Sequence, residues 1–368
     1  MKKLLPVLLV SLAVLETACD TSLPLATQTA TLELPASPYY YGENINSAQA
    51  TLGRVLFYDR QLSVNNSISC SSCHKQSLAF ADNVAFSRGF AGQVTTRNSM
   101  PIQNLGFGAI TTDAIFSDTS NFVPFGEKSL FWDGREKILS TMVLRPVVNH
   151  VEMGINDLEA LEAKLERISY YPDLFEKAFG TRKVTIGLIG EAMGTFLRTI
   201  NSKNTRFDRV MRGEASFTQQ ELKGNNLFMS TYDCNSCHQV GSVDGYIFAG
   251  TFANIGLDEE YSDPGLSLVT KNKSDAGRFK IPSLRNVALT APFMHDGRFA
   301  TLEEVIDHYS EGIANNANLD SRLRTGSGDP QRFHIPPEDK RALIAFLKTL
   351  TDPDMITDER FSDPFRVH

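Results

Sequence analysis

Cys70-Ser71-Ser72-Cys73-His74 constrains this chain more than any other stretch. Two thiols spaced CxxC and followed at once by histidine form the attachment pattern of a c-type haem. The thiols take up the vinyl groups and the histidine becomes the proximal iron ligand. The pattern returns as Cys234-Asn235-Ser236-Cys237-His238. A redox pair, a disulfide or a zinc site can account for one such run, but two runs that both end in histidine favour haem. The expected cofactors are therefore two covalently bound c-type haems, with His74 and His238 on their irons.

The remaining composition narrows the setting. The chain has 368 residues, 42% hydrophobic and 21% charged, enough for one long domain or two ordinary ones. Its formal charge of −7 is spread without long like-charge blocks, which excludes nucleic acid as a partner and is compatible with docking a basic redox protein. Of the five cysteines, four belong to the CxxCH runs and the fifth is Cys19. Residues 1–19 read as an export signal: Lys2 and Lys3, an apolar run from Leu4 to Leu15, then Ala18-Cys19. Cys19 stands where a bacterial lipoprotein is cleaved and acylated, although Glu16 departs from that pattern. The expected location is periplasmic, with Cys19 as a candidate lipid anchor.

Residues 20–38 are rich in Thr, Ala, Ser and Pro and read as a flexible tether. Ser47 to Tyr58 has a helical apolar face made by Leu52, Val55 and Leu56. Small motifs then recur in a shared order. Gly53-x-x-Leu56-Phe57 precedes the first CxxCH, and Gly224-x-x-Leu227-Phe228 precedes the second. Arg97-Asn98 follows one and Arg285-Asn286 the other, then come Trp132-Asp133-Gly134-Arg135 and His295-Asp296-Gly297-Arg298. Each series closes on an amphipathic helix, through Phe196 to Ile200 and through Phe346 to Leu350. Pro337 suits the first turn of the second, with Leu343, Phe346, Leu347 and Leu350 as its stripe. The expected fold is mainly α, with two cytochrome c-like haem domains related by internal duplication and joined by long loops. Their expected bounds are 39–200 and 201–352, followed by a C-terminal tail over 353–368. The stretch 101–131, which contains Gly106, Gly108 and Gly126, reads as a long loop.

These residues resemble the bacterial di-haem cytochrome c peroxidases and their MauG branch. The resemblance runs from Leu52-Gly53-Arg54 through the first CxxCH, Arg97-Asn98-Ser99, Phe131 to Arg135 and Val151-Glu152-Met153-Gly154. It continues through the second CxxCH, Pro282 to Val287 and Met294 to Arg298. It implies a peroxidatic haem in the first half and an electron-transfer haem in the second. Trp132, the only tryptophan, matches the residue between the haems, with a plain core aromatic as the alternative. Glu152 matches the distal acid that moves protons during peroxide cleavage, and His150 is a second, weaker acid–base candidate. Asn98 and the carbonyls of Thr290 and Pro292 match a candidate calcium site between the domains.

Three departures stand out. Phe90 occupies the position of a histidine that caps the first iron in many relatives, which implies an iron that is open without reductive activation. Tyr309, fourteen residues after His295, replaces the methionine ligand of the second iron. Here Thr301-x-x-Glu304 is a capping box, and Leu302, Val305, Ile306 and Tyr309 share one helical face. Met294 and His308 are the alternative ligands. Met142, ten residues after Trp132, replaces a glutamine near Glu152, so another donor is needed there or Glu152 acts alone.

The leading expectation is an oxidoreductase that cleaves hydrogen peroxide at the His74 haem. It would pass oxidising equivalents through Trp132 to the second haem and draw electrons from a small cytochrome c or cupredoxin. One alternative is MauG-like oxidation of side chains on a partner protein through a bis-ferryl state, with Tyr232 as an exit. Another is a non-catalytic di-haem electron carrier. Homodimerisation is left open by the sequence.

Overall fold

The computed structural model describes residues 31–32, 45–105, 129–240, 247–248 and 252–366; for 31–32, 239–240, 247–248 and 366 it describes the backbone alone. Cys19, the export signal and Gly106, Gly108 and Gly126 lie outside the described residues. The described chain is mainly helical. Its strands are three antiparallel pairs of two residues each.

The helices begin where side chains can satisfy their free amides. Helix Ser47–Tyr58 starts on Asn46, whose Oδ1 accepts from Ala48 N at 3.0 Å and Gln49 N at 3.2 Å. Helix Gln219–Asn226 starts in a capping box between Thr218 and Glu221. Helix Pro337–Lys348 has proline at its first position, Glu338 and Asp339 in its first turn, and Lys348 in its last.

Two helix pairs form the backbone of the fold. Ser47–Tyr58 packs on Ile186–Thr199, and Gln219–Asn226 packs on Pro337–Lys348. Each pair approaches through a glycine. A Cβ on Gly53 would collide with the Ala192 carbonyl and lie 2.8 Å from Phe196 Cβ; one on Gly224 would collide with the Ala342 carbonyl and lie 2.8 Å from Phe346 Cβ. The same contact is thus built twice, with the aromatic four residues beyond the alanine each time.

The pairs sit in separate apolar cores. One runs from Leu52 to Ile200, and the other from Phe207 to Leu350; Ile313, Leu319 and Leu323 form a small third cluster. Residues 201–206 lie between the last member of the first cluster, before the chain returns at Met355, and Phe207 of the second. The reading of 353–368 as a tail does not hold for its described residues. Met355 and Phe361 are each 3% exposed within the first core, because the chain crosses back after the second half is complete. Within the expected tether, Thr31–Leu32 pairs with Phe365–Arg366, near the opposite end of the chain.

The motif series also needs one change of register. Asn286 has φ +60°, donates its N–H to Leu350 O at 2.9 Å and accepts at Oδ1 from Asp352 N at 2.7 Å. Its geometric counterpart is Asn104, with φ +58° and bonds to Ile200 O at 2.8 Å and from Ser202 N at 3.0 Å. Asn98, the expected counterpart, lies instead where the halves meet. The turns carrying Trp132 and His295 do correspond. Phe131 and Met294 have φ +64° and +75°, Gly134 and Gly297 have φ +70° and +66°, and antiparallel bridges close both turns.

Candidate active site

Each CxxCH run forms one short helical turn. His74 N donates to Cys70 O at 3.0 Å, and His238 N to Cys234 O at 2.9 Å. None of the four cysteines is in a disulfide. Burial pushes the thiols of Cys70 and Cys234 up to about 12, so they are neutral. The imidazoles are oriented alike: Nδ1–H of His74 donates to Phe80 O at 2.9 Å, and that of His238 to Pro282 O at 3.1 Å. That makes Nε2 of each ring the candidate iron ligand, with the carbonyl at Nδ1 fixing the tautomer. Burial lowers both imidazoles, His238 to about 4, which keeps them in the neutral form that ligation requires.

Glu152 belongs to the first anchor. It lines a cleft of about 260 Å³ together with Phe131, Arg135, Arg145, Asn149 and His150. Burial raises its carboxyl above the ordinary range and the charge of Arg135 partly offsets this. Its own charge in turn raises Cys70 and Cys73, which places it within electrostatic reach of that haem anchor. Asn149, a residue that sequence reasoning missed, holds it. Asn149 Nδ2 donates to Glu152 Oε1 at 2.9 Å, while Asn149 Oδ1 accepts from Val151 N at 2.8 Å in an Asx turn. The only available signal was that Asn, three residues ahead of the acid in a turn-forming run.

Phe90 braces the same loop from behind. Its N–H donates to Glu152 O at 2.9 Å, and its ring fills the space a side chain at Gly154 would take. Met142 is 8% exposed in the first core, and the amide beside Glu152 comes from Asn149 rather than from position 142. His150 stands exposed at the cleft mouth.

The second anchor opens into a larger cavity of about 310 Å³. Cys234, Cys237, His238 and Tyr309 all line it. The predicted capping box is present: Thr301 Oγ1 accepts from Glu304 N and Glu304 Oε2 accepts from Thr301 N, both at 3.2 Å. It starts helix Leu302–Asp307, and Leu302, Val305 and Ile306 join Tyr309 on the cavity wall. From His308 to Gly312 the helix widens into a π turn, a form common at functional sites. His308 points elsewhere, since its Nε2–H donates to Ile255 O at 2.9 Å. Met294 lines the cavity as well. Burial raises the Tyr309 hydroxyl well above the usual phenol value.

Lys280 is a second feature invisible in the sequence. Its side chain faces this cavity, burial pulls it down to about 8, and no carboxylate among the described residues offsets that. A buried ammonium without an anion is costly. The acidic side arms of a haem are anions of the right kind, so the cavity fits that group in charge as well as in its thiol and imidazole donors.

Adjacent residues join the two sites. Phe131 faces the Glu152 cleft, and Trp132 faces the second cavity. Trp132 Nε1–H donates to Asn98 O at 2.9 Å, and Asn98 N–H donates to His295 O at 2.7 Å. Arg97 ties the halves by charge, bonding Asp133 at 2.6 Å and Asp263 at 2.7 Å. Asn98, Thr290 and Pro292 all line the second cavity, where the Asn98 amide donates to Val84 O at 3.1 Å and Ala85 O at 3.3 Å.

Residues 47–216 match the family model for di-haem cytochrome c peroxidase. The cytochrome c551 peroxidase of Nitrosomonas europaea is 31% identical over 303 residues, covering 79% of this chain and 83% of the relative. The chain belongs to the di-haem cytochrome c peroxidase family. The methylamine utilization protein MauG of Paracoccus denitrificans is 32% identical over 353 residues, covering 83% of this chain and 89% of that protein. Among solved structures, a MauG-like protein associated with microbial copper homeostasis superposes with a TM-score of 0.74 at 33% identity, over 91% of this chain and 99% of the other. As a family member the chain is an oxidoreductase that carries two c-type haems.

Proposed function

We propose that this protein cleaves hydrogen peroxide at the His74 haem, with Glu152 moving the proton, and draws electrons from a small cytochrome c or cupredoxin. The observation that carries the proposal is Glu152 itself, a half-buried carboxylate in a cleft, held by Asn149 at 2.9 Å and electrostatically coupled to Cys70 and Cys73. Haem iron supplies the centre at which the O–O bond is broken. Glu152 takes a proton from the near oxygen of peroxide and returns it to the leaving oxygen, and burial holds its affinity high enough to do both. Phe90 braces the acid and offers the first iron no ligand atom. Trp132, facing the second cavity beside Phe131 in the cleft, would serve as the conduit to a haem in that cavity, and Tyr309 would help to hold its iron.

The proposal is tested by steady-state turnover of hydrogen peroxide with reduced cytochrome c and with a reduced cupredoxin. Rapid peroxide-dependent oxidation of either donor is expected. Absence of turnover with both, together with oxidised residues on a partner protein, would favour the second reading, oxidation of protein side chains.

Two observations favour that second reading enough to state it. Tyr309 provides an oxygen donor in place of a thioether, which stabilises the more oxidised metal. Tyr232 Oη donates to Asp339 Oδ2 at 2.8 Å and its ring meets Phe333 edge-on at 6.1 Å in the cavity wall. A tyrosine already bonded to a carboxylate can lose an electron and its proton together, so Tyr232 is the proposed exit. Export to the periplasm, acylation of Cys19 and calcium at Asn98, Thr290 and Pro292 complete the proposal. No helix among the described residues is long and apolar enough to cross a membrane. Acyl labelling of the wild type but not of Cys19→Ala would establish the anchor.

A further inference from the structure

The described part of the segment after residue 352 reaches the proximal side of the first haem anchor. Gln76 Nε2 donates to Met355 O at 3.1 Å and to Asp358 O at 2.8 Å. Phe361 meets Phe80 edge-on at 6.5 Å, and Phe80 meets Phe57 in the same manner at 6.1 Å. The segment is held in turn by the first helix: Arg54 Nε donates to Ser362 O and Tyr58 Oη to Phe361 O, each at 2.6 Å.

What the segment covers is a strained turn. Ala79 and Phe80 have φ +52° and +61°, two successive residues with side chains in the left-handed region. Both are fully buried. Phe80 N–H donates back to Lys75 O at 2.8 Å, and this fold-back presents Phe80 O to Nδ1 of His74 at 2.9 Å. A turn of this kind persists only where its surroundings hold it. The second half has no such need. Its histidine rests on Pro282, 44 residues further along the chain, and Pro282 is not among the left-handed residues.

We infer that residues 353–366 are a positioning element for His74: they hold the Phe80 carbonyl against Nδ1 and so set the orientation and donor strength of the imidazole on the first iron. The inference rests on the assignment of His74 as a haem ligand. A firm acceptor at Nδ1 makes Nε2 a stronger donor, which stabilises the oxidised metal; loosening the acceptor weakens that donation.

The test uses the intact di-haem protein and three changes: Gln76→Leu, Phe361→Ala, and truncation after Asp352 with a peptide of residues 353–368 added back. Haem content of each half is first measured by mass of its CxxCH peptide; a wild type lacking haem at Cys70 and Cys73 would overturn the cofactor assignment itself. The reduction potential of each haem and the iron–histidine stretching frequency of the first are then compared. The expected result is a rise in potential and a lower stretching frequency at the His74 haem, an unchanged His238 haem, and recovery when the peptide is added. Unchanged signals at the first haem in Gln76→Leu and Phe361→Ala would overturn the inference. So would equal shifts at both haems, which general loosening of the fold would produce.

Discussion

Replacing Glu152 by glutamine isolates proton transfer from everything else this residue does. The carboxamide has nearly the same volume, and its oxygen can still accept from Asn149 Nδ2 where Glu152 Oε1 now does at 2.9 Å. The loop itself is held by contacts that do not involve the side chain: Phe90 N–H to Glu152 O at 2.9 Å, and Asn149 Oδ1 to Val151 N at 2.8 Å. A positioned acid–base group contributes about 10²–10⁴ in rate, which is roughly 3–5 kcal/mol of barrier at 1.36 kcal/mol per tenfold. Peroxide consumption by Glu152→Gln should fall by that factor, with both haems still attached. The pH profile adds a second arm. The carboxylate must be ionised to accept the first proton, so kcat/KM rises with pH through the Glu152 pKa. Burial raises that pKa, so the rise occurs above the ordinary carboxylate range; Arg135 holds it down, so Arg135→Leu moves it to still higher pH. In Glu152→Gln the acid limb disappears. A loss of less than tenfold with the limb intact would refute the assignment of Glu152 as the proton carrier.

Tyr309→Met should raise the potential of the second haem by on the order of 100 mV or more, since axial ligands span about 0.8 V across haem proteins. A redox titration in which only the first haem differs from wild type would instead leave Tyr309 on the rim and point to Met294. Gly224→Ala drives a Cβ into the Ala342 carbonyl and within 2.8 Å of Phe346 Cβ, so urea unfolding should show a loss of about 1–3 kcal/mol or more. Gly187→Ala, in a helix where nothing lies within 4 Å of the new carbon, should be neutral or stabilising by up to about 1 kcal/mol. Asp208→Asn neutralises the carboxylate that pairs at 2.7 Å with the Arg285 guanidinium, which is 1% exposed. A loss of about 3–5 kcal/mol is expected in the same unfolding assay.

What the sequence made legible were features carried by local chemistry. CxxCH needs only five consecutive residues. Helix Ser47–Tyr58 and the Thr301–Glu304 capping box are periodic or short-range patterns, and both appear at the expected residues. Features made by tertiary contact were not legible. Asn98 and Asn104 look alike in sequence, but only Asn104 finds the helix-end carbonyl of Ile200. Residues 353–366 have no periodicity, and their burial comes from a return to the first half. Lys280 reads as one more surface cation, and only the cavity around it shows otherwise. The widening of the helix at His308 cannot be read from apolar spacing, although the spacing did place Tyr309 on the correct face.

The two halves become unequal through what surrounds equal parts. Both CxxCH turns have the same backbone bonds, and the turns at Trp132 and His295 share the same pattern of positive φ. Yet one imidazole rests on a strained local carbonyl in a turn whose thiols feel the charge of Glu152, while the other rests on a distant proline and shares its cavity with a phenol and an ammonium. The corresponding turns meet at one residue. Trp132 N–H donates to the Asn98 carbonyl and the Asn98 N–H donates to the His295 carbonyl, so two hydrogen bonds join the equivalent positions of the halves. Both use the backbone of Asn98, so Asn98→Ala removes the side-chain bonds to Val84 and Ala85 and leaves this link in place. Trp132→Phe removes the link and keeps an aromatic ring. If transfer between the haems follows the hydrogen-bonded path, Trp132→Phe slows it and Asn98→Ala does not. If the ring alone matters, Trp132→Phe retains most of the rate, and flash-initiated electron transfer between the haems distinguishes the two.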